Sequence, residues 1–248
     1  MKVVILAAGY ATRLYPLTLN KPKCLLTVGN RTILDALCGK LDVLKDLDEL
    51  IVVTNAKFFD QLVNWKKNAK SRFSIRILND GTDSNDTRLG AIGDLRFAIQ
   101  QCRLETDILM LASDNLFDAG LSGFTDFAKS KDGAVSVGLY DIKDPHLAAK
   151  KFGVLEINSA SEVVSIEEKP EFPKSSLIGM GIYYFPKDSL HLVHEYFDHQ
   201  EAKDAPGYYI RWLGGRVKIY GFQFSGMWYD IGNLKALEDA NQAFSGKK

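Results

Sequence analysis

The sequence predicts an α/β fold with a mostly parallel, doubly wound central sheet, and three observations carry the prediction. Short apolar runs suited to strands alternate with segments of helical apolar spacing from the N-terminus to Ala112. The runs are continuous rather than alternating, as in strands buried on both faces of a parallel sheet. They stop at small or polar residues: Val3-Val4-Ile5-Leu6-Ala7-Ala8 ends at Gly9, and Asp107 to Ala112 runs into Ser113-Asp114-Asn115.

In chain order, residues 2 to 8 form the first strand, and a glycine-containing loop follows. Apolar residues at helical intervals mark Ile33 to Leu47 as a helix. Leu50 to Thr54 is a second strand ending in Asn55-Ala56, and a helix runs on to about Lys70. Ser74 to Leu78 is a strand, Ala91 to Gln101 a helix and Asp107 to Ala112 a strand. After about residue 134 the texture becomes strand-rich and mixed, with Ala134 to Tyr140, Gly153 to Ile157, Val163 to Glu168 and Gly181 to Phe185 each bounded by turn residues. A helix from about Lys187 to His199 comes next, then a helical stretch from Pro206-Gly207 to Leu213 and a turn at Gly214-Gly215. A strand from Val217 to Phe224 and a helix from Leu234 to Phe244 close the pattern. No repeat, heptad array or low-complexity linker interrupts it, so one domain over 1–248 is expected, with a parallel first half (1–133) and a mixed second half (134–248).

Composition bounds the function. With 248 residues and 46% hydrophobic content the chain can bury a full core. Lys plus Arg and Asp plus Glu both number 31, so no broad field favours nucleic acid or a membrane, and any anion site must be local. The three cysteines, Cys24, Cys38 and Cys102, are widely spaced, which suits a reducing compartment rather than a disulfide framework or zinc site. No run reaches transmembrane length and the first apolar run is too short for a signal segment, so a cytoplasmic location is expected.

In a doubly wound sheet, ligands sit at the carboxyl ends of the strands. Leu6-Ala7-Ala8-Gly9-Tyr10-Ala11-Thr12-Arg13-Leu14 puts small residues at such an end, and Arg13 and Lys23 follow. Small residues let backbone N–H groups approach phosphate, and the two cations can neutralise charge on a departing pyrophosphate. On residue types alone, a turn with surface cations reads equally well. Neither GxxxxGK[ST] nor GxGxxG is present.

The whole string Leu6 to Leu26, with Pro16-Leu17-Thr18 and Lys21-Pro22-Lys23 inside it, resembles the sugar nucleotidyltransferase signature LAxGxGTRLxPLTxxxPKxLL. The resemblance implies the nucleotide-diphospho-sugar transferase fold, a Rossmann-like three-layer α/β/α sandwich, over most of the chain. It implies transfer of a nucleoside monophosphate from a nucleoside triphosphate to a sugar 1-phosphate or related phosphorylated molecule, with Mg²⁺ as cofactor. It also assigns Leu6, Ala8, Gly9, Arg13, Lys23, Asn79 and Gly90 to the nucleotide. Ala11 stands where the family has a second loop glycine, so a differently shaped loop is expected there.

Asp114 lies at a strand's carboxyl end, and Asp114-Asn115 resembles the family's GDN motif, with Ser113 in place of glycine. Asp230, in Trp228-Tyr229-Asp230-Ile231-Gly232, is similar to the WxDxG segment. The resemblance makes both carboxylates metal ligands, and one or two carboxylates with phosphate oxygens suit Mg²⁺. Arg13, Lys23 and Asp114 are the expected catalytic residues. Glu167-Glu168-Lys169-Pro170 resembles EEKP, which implies Glu168 on sugar hydroxyls and Lys169 on the acceptor phosphate. Gly153 and Gly181 match glycines that admit the sugar.

The base and the acceptor stay open. The loop Asn79 to Ala91 lacks the glutamine common in thymidylyl and uridylyl members and is somewhat like that of choline-phosphate cytidylyltransferases, so a cytidylyltransferase acting on phosphocholine is the alternative. A non-catalytic binding homologue is a third reading, against which both carboxylates and both loop cations stand. A glycosyltransferase would want a DxD motif that Ser113-Asp114-Asn115 lacks, and with no hexapeptide repeats after Asp230 a fused acetyltransferase is not expected. His191, His194 and Glu195 read as a helix surface rather than a metal face. Tyr208, Tyr209 and Trp212 read as packing first and a homo-oligomer contact second.

Overall fold

The computed structural model describes residues 1–199 and 205–244 and has the expected class, a mostly parallel central sheet flanked by helices. The chain runs through β1 (Lys2–Leu6), β2 (Thr27–Val28), β3 (Arg31–Thr32), α1 (Ile33–Leu41), β4 (Glu49–Thr54), α2 (Phe59–Asn68) and β5 (Ser74–Asn79). It continues with α3 (Gly90–Cys102), β6 (Ile108–Ala112), β7 (Asn115–Phe117), α4 (Ser122–Lys129), β8 (Val135–Asp141), β9 (Gly153–Ile157), β10 (Val163–Glu168) and β11 (Leu177–Phe185). The last elements are α5 (His191–His199), α6 (Pro206–Leu213), β12 (Ile219–Phe224), β13 (Trp228–Asp230) and α7 (Leu234–Phe244). Contacts divide the chain into two compact units, one of Met1–Leu89, Leu111–Leu121 and Gly226–Lys248, the other of Gly90–Met110 and Ser122–Ser225.

In the first unit β1, β4 and β5 pair in parallel, with Val4 opposite Ile51 and Ile51 opposite Arg76. Val3, Val4 and Ile5 and the run Leu50 to Val53 are wholly buried, which is why these strands read as unbroken apolar runs. Each such side chain contributes about 1.5–3 kcal/mol of burial. β5 lies at the sheet edge and alternates toward solvent instead.

Helix α1 starts where Thr32 caps it: Thr32 Oγ1 accepts from the Asp35 amide at 3.1 Å, and the Asp35 carboxylate accepts from the Thr32 amide at 3.3 Å. It ends at Leu41 rather than at the expected Leu47. Beyond Leu41 the bonds tighten, Leu44 N–H donating to the Leu41 carbonyl and Leu47 N–H to that of Leu44, among Asp42, Asp46 and Asp48. Leu44 and Leu47 are still buried, so their helical spacing recorded burial and not helix.

The second unit is mixed, as expected from its strand-rich texture. β9 pairs antiparallel with β10, β11 antiparallel with β8 and β9, and β12 parallel with β8. β11 begins at Leu177, four residues before the expected start, because Gly181 at φ 71° forms a register shift inside the strand and not its end. The helix expected from Lys187 opens as a 3-10 turn, Lys187–Ser189, in which Ser189 Oγ donates to the Pro186 carbonyl at 2.7 Å. The strand expected from Val217 begins at Ile219, since the Arg216 and Val217 amides both close a turn onto the Leu213 carbonyl. Tyr209, fully buried, stacks on Trp212 at 6.0 Å and meets Tyr196 edge-on at 5.2 Å, so packing describes this cluster.

Among the described residues, no helix is long and apolar enough to cross a membrane. Cys24 and Cys38 are free thiols whose ionisation burial pushes up to about 12.

Candidate active site

The loop that follows β1 is held in place by main-chain and side-chain bonds. The Ala7 amide donates to the Val53 carbonyl at 2.8 Å, and buried Asn55 donates through Nδ2 to the Ala8 carbonyl at 2.8 Å while its Oδ1 accepts from the Phe58 amide. A Cβ built on Gly9 would meet nothing within 4 Å, so the loop faces open space there. Ala11 takes the left-handed conformation, φ 47° and ψ 44°, which an alanine adopts at a steric cost. Its carbonyl is fixed twice, by the Leu14 amide at 2.9 Å and by buried Thr18 Oγ1 at 2.8 Å, which offsets the steric cost at its Cβ. Ser113, at the other glycine replacement, is not among the positive-φ residues and demands no glycine.

One apolar cluster includes a near neighbour in sequence of each of Arg13, Lys23, Asp114 and Asp230. Leu14, Leu26, Leu116 and Ile231 pack together with Val28, Ile33, Leu237 and Ala240. Leu14 follows Arg13, Leu26 lies just beyond Lys23, Leu116 just beyond Asp114, and Ile231 follows Asp230. The two carboxylate segments are also joined through the backbone: β7 and β13 pair antiparallel with Asn115 opposite Asp230, and the Ile231 amide donates to the Asp114 carbonyl at 2.9 Å.

The side chains converge accordingly. Lys23 Nζ lies 2.6 Å from Asp114 Oδ2, with the two side chains 16% and 27% exposed. A methyl group on Gly232 would sit 3.8 Å from Arg13 Nη2 and from both Asp230 carboxylate oxygens, so Arg13 and Asp230 flank the same glycine. Trp228 Nε1 donates to Asn115 Oδ1 at 2.6 Å, and Asn115 Nδ2 donates to Asp114 Oδ1 at 3.2 Å, a relay that orients Asp114. Two carboxylates on adjoining segments fit a hard divalent cation that completes its shell with water and phosphate.

Asn79 ends β5, and its Oδ1 accepts from the Gly81 amide at 2.9 Å, so that oxygen serves a turn. Tyr10 is buried, with its hydroxyl 3.5 Å from Thr82 Oγ1. Gly90, at φ 77°, opens α3.

In the second unit Glu168 ends β10 opposite Gly153. Its side chain is only 6% exposed, and burial holds its carboxyl above the ordinary glutamate range, with Lys169 Nζ 3.7 Å from Oε1 opposing that shift. Lys169 takes φ 49°, and its amide donates to the Phe152 carbonyl at 3.1 Å. Gly153 gives room to the carboxylate, since a Cβ there would lie 2.9 Å from Glu168 Oε2, whereas Gly181 sits at the bulge of β11.

Glu195 lies 3.7 Å from Arg216, and among the described residues no group of three or more His, Cys, Asp or Glu could hold a metal ion, so His191, His194 and Glu195 form no metal face. Asn55 and Thr18, which tie down the loop, and Trp228, which orients Asp114 through Asn115, carried no assignment from the sequence. Only the tryptophan of the WxDxG-like segment offered a signal.

The nucleotidyl transferase family model matches residues 2–246. The chain is 29% identical over 245 residues to the bifunctional protein GlmU of Methanococcus aeolicus, covering 97% of this chain and 54% of that protein. It is 31% identical over 140 residues to glucose-1-phosphate adenylyltransferase of Bacillus cytotoxicus, covering 54% of this chain and 36% of that one. The chain thus spans about half the length, or less, of these curated relatives. A solved UDP-glucose pyrophosphorylase with UDP-glucose superposes with a TM-score of 0.83 at 18% identity, over 100% of this chain and 99% of that one, and shares the fold. With a match that runs almost end to end over this fold, the chain belongs to the nucleotidyl transferase family.

Proposed function

We propose that this chain transfers a nucleoside monophosphate from a nucleoside triphosphate to a sugar 1-phosphate, with release of pyrophosphate and formation of a nucleoside diphosphate sugar. The carrying observation is that Lys23 Nζ lies 2.6 Å from Asp114 Oδ2, that β7 and β13 set Asp230 opposite Asn115, and that Arg13 and Asp230 flank Gly232. Two cations and two carboxylates in that arrangement suit a triphosphate with its divalent cation. The names of the relatives, which join nucleotides to sugar phosphates, favour the same chemistry.

In this reading the loop from Leu6 to Gly9 carries the nucleotide, with Asn79 and Gly90 toward the base. Arg13 and Lys23 draw charge from the β- and γ-phosphates, and Asp114 and Asp230 hold Mg²⁺. When bound, Mg²⁺ supplies charge neutralisation and fixes the orientation of the phosphate oxygens. Glu168 accepts from an acceptor hydroxyl, Lys169 meets the acceptor phosphate, Gly153 makes room for the Glu168 carboxylate, and Gly181 leaves room for the sugar. An oxygen of that phosphate forms a bond to the α-phosphorus as the α–β bridging P–O bond breaks, and the electron pair leaves with pyrophosphate. No covalent bond to the protein is formed, and alignment with charge stabilisation supplies the rate. The reading puts this work in the cytoplasm, in keeping with the three free cysteines.

The test is pyrophosphate release from dTTP, UTP, CTP, GTP and ATP against a panel of sugar 1-phosphates and phosphocholine, with Mg²⁺ or with EDTA. Release that requires one triphosphate, a sugar 1-phosphate and Mg²⁺ is expected. Release with phosphocholine alone would replace the acceptor, and folded protein that neither turns over nor binds a triphosphate would overturn the reading.

A further inference from the structure

Gly207 stands in the first turn of α6, directly after Pro206, and lies against the Glu168 carboxylate. A Cβ on Gly207 would fall 1.9 Å from Glu168 Oε2 and 2.9 Å from its Cδ. A Cβ on Gly153, opposite Glu168 in the sheet, would fall 2.9 Å from the same oxygen. Neither glycine has a positive φ, so backbone conformation does not call for glycine at either place; the space taken by the carboxylate does. Oε2 is therefore bracketed by two stretches of bare backbone, while Oε1 is the oxygen 3.7 Å from Lys169 Nζ.

Neither side of this notch can easily give way. Tyr209, two residues after Gly207, is fully buried among Phe185, Tyr196 and Trp212 at ring separations of 6.0, 5.2 and 6.0 Å, which pins α6. On the other side the β9–β10 ladder pins Gly153. A side chain at Gly207 must push the carboxylate and not the helix.

We infer that Gly207 is a positioning residue of the acceptor side: with Gly153 it forms a backbone notch that fixes the Glu168 carboxylate and presents Oε1, beside Lys169, to a hydroxyl of the acceptor. The inference rests on the proposed function for the identity of the acceptor, but the notch itself does not. It makes hydroxyl recognition depend on a residue that touches no substrate. A single aimed oxygen also discriminates among polyol phosphates by the direction of one hydroxyl.

The experiment compares wild type, Gly207→Ala and Gly207→Ala/Glu168→Asp. With sugar 1-phosphate and triphosphate varied in turn, Gly207→Ala should raise the acceptor KM by about tenfold or more, the scale for loss of one hydrogen bond to a charged group, and leave the triphosphate KM unchanged. Shortening the carboxylate in the double variant should restore part of the acceptor KM. A parallel ¹³C NMR titration of the Glu168 carboxyl, in protein labelled at glutamate, should show a displaced midpoint in Gly207→Ala. Gly153→Ala, the milder change, serves if Gly207→Ala does not fold. An unchanged acceptor KM, an equal rise for both substrates, or an unmoved Glu168 titration would overturn the inference. Should wild type turn over no sugar 1-phosphate, the proposed function fails, and the titration alone decides whether the notch holds Glu168.

Discussion

Lys23 Nζ and Asp114 Oδ2 lie 2.6 Å apart, so a cation suited to phosphate and a carboxylate suited to a metal neutralise each other. The two residues should therefore respond oppositely to Mg²⁺. Asp114→Asn is expected to lower kcat by about 10²–10³-fold, the scale for loss of one aimed electrostatic group, and to raise the Mg²⁺ needed for half activity. Lys23→Met should also lower kcat, yet should reduce the Mg²⁺ requirement because Asp114 loses its competing partner. Mg²⁺ titrations of pyrophosphate release check both; parallel shifts would show that the pair does not govern metal binding.

Ala11 holds a left-handed conformation at φ 47°. Relief of its steric cost, about 1–2 kcal/mol, set against the extra chain entropy of glycine, makes Ala11→Gly stabilising by about 0.5–1 kcal/mol. Urea denaturation measures this. A loss of stability instead would mean that the Ala11 methyl, which packs on the Leu14 and Leu26 cluster, outweighs the strain.

Trp228 Nε1 donates to Asn115 Oδ1, and Asn115 in turn donates to Asp114. Trp228→Phe keeps most of the ring and removes the donor. The expected outcome is a loss of about 1–2 kcal/mol of stability, from an acceptor left short of a partner, together with a weaker dependence of turnover on Mg²⁺ concentration in the low range. Denaturation and the Mg²⁺ titration separate the two effects.

Burial pushes the Glu49 carboxyl up, but hydrogen bonds and charge from Lys2 and Arg76 outweigh it and hold it below the usual glutamate range. A depressed carboxylate adds stability that is complete above its unfolded-state value and is lost as pH falls through the folded one. Glu49→Gln should cost about 1 kcal/mol at neutral pH, and the gap to wild type should close on acidification. Thermal melts across that range test it, and a gap that ignores pH would contradict the assignment.

The parallel core was legible because β1 and β4 are buried on both faces, and continuous runs such as Val3 to Leu6 have few other solutions. Arg13, Lys23 and Asp114 were legible as residues at or following strand ends, but Asp230 was nameable only through resemblance, since no periodicity links it to Asp114; the β7–β13 pairing that joins them involves three residues on each side, too short for any pattern. Helix α1 was read too long because Leu44 and Leu47 keep helical spacing while serving a pair of turns. Gly207 was invisible because its reason for being glycine, the Glu168 carboxylate, lies 39 positions away in the chain and across space. Asn55 was read as the end of a strand, though its amide ties the loop at Ala8.

The first unit is assembled from three separated stretches, with Gly226 onward as the last, whereas the second lies wholly between Gly90 and Ser225. During synthesis the chain emerges N-terminus first and domains fold as units. β7 then waits for β13, and Asp114 stands without Asp230 until the stretch from Gly226 onward has left the ribosome. A nascent chain stalled before Trp228 has Lys23 and Asp114 but lacks Asp230, the second carboxylate that the proposed metal site needs.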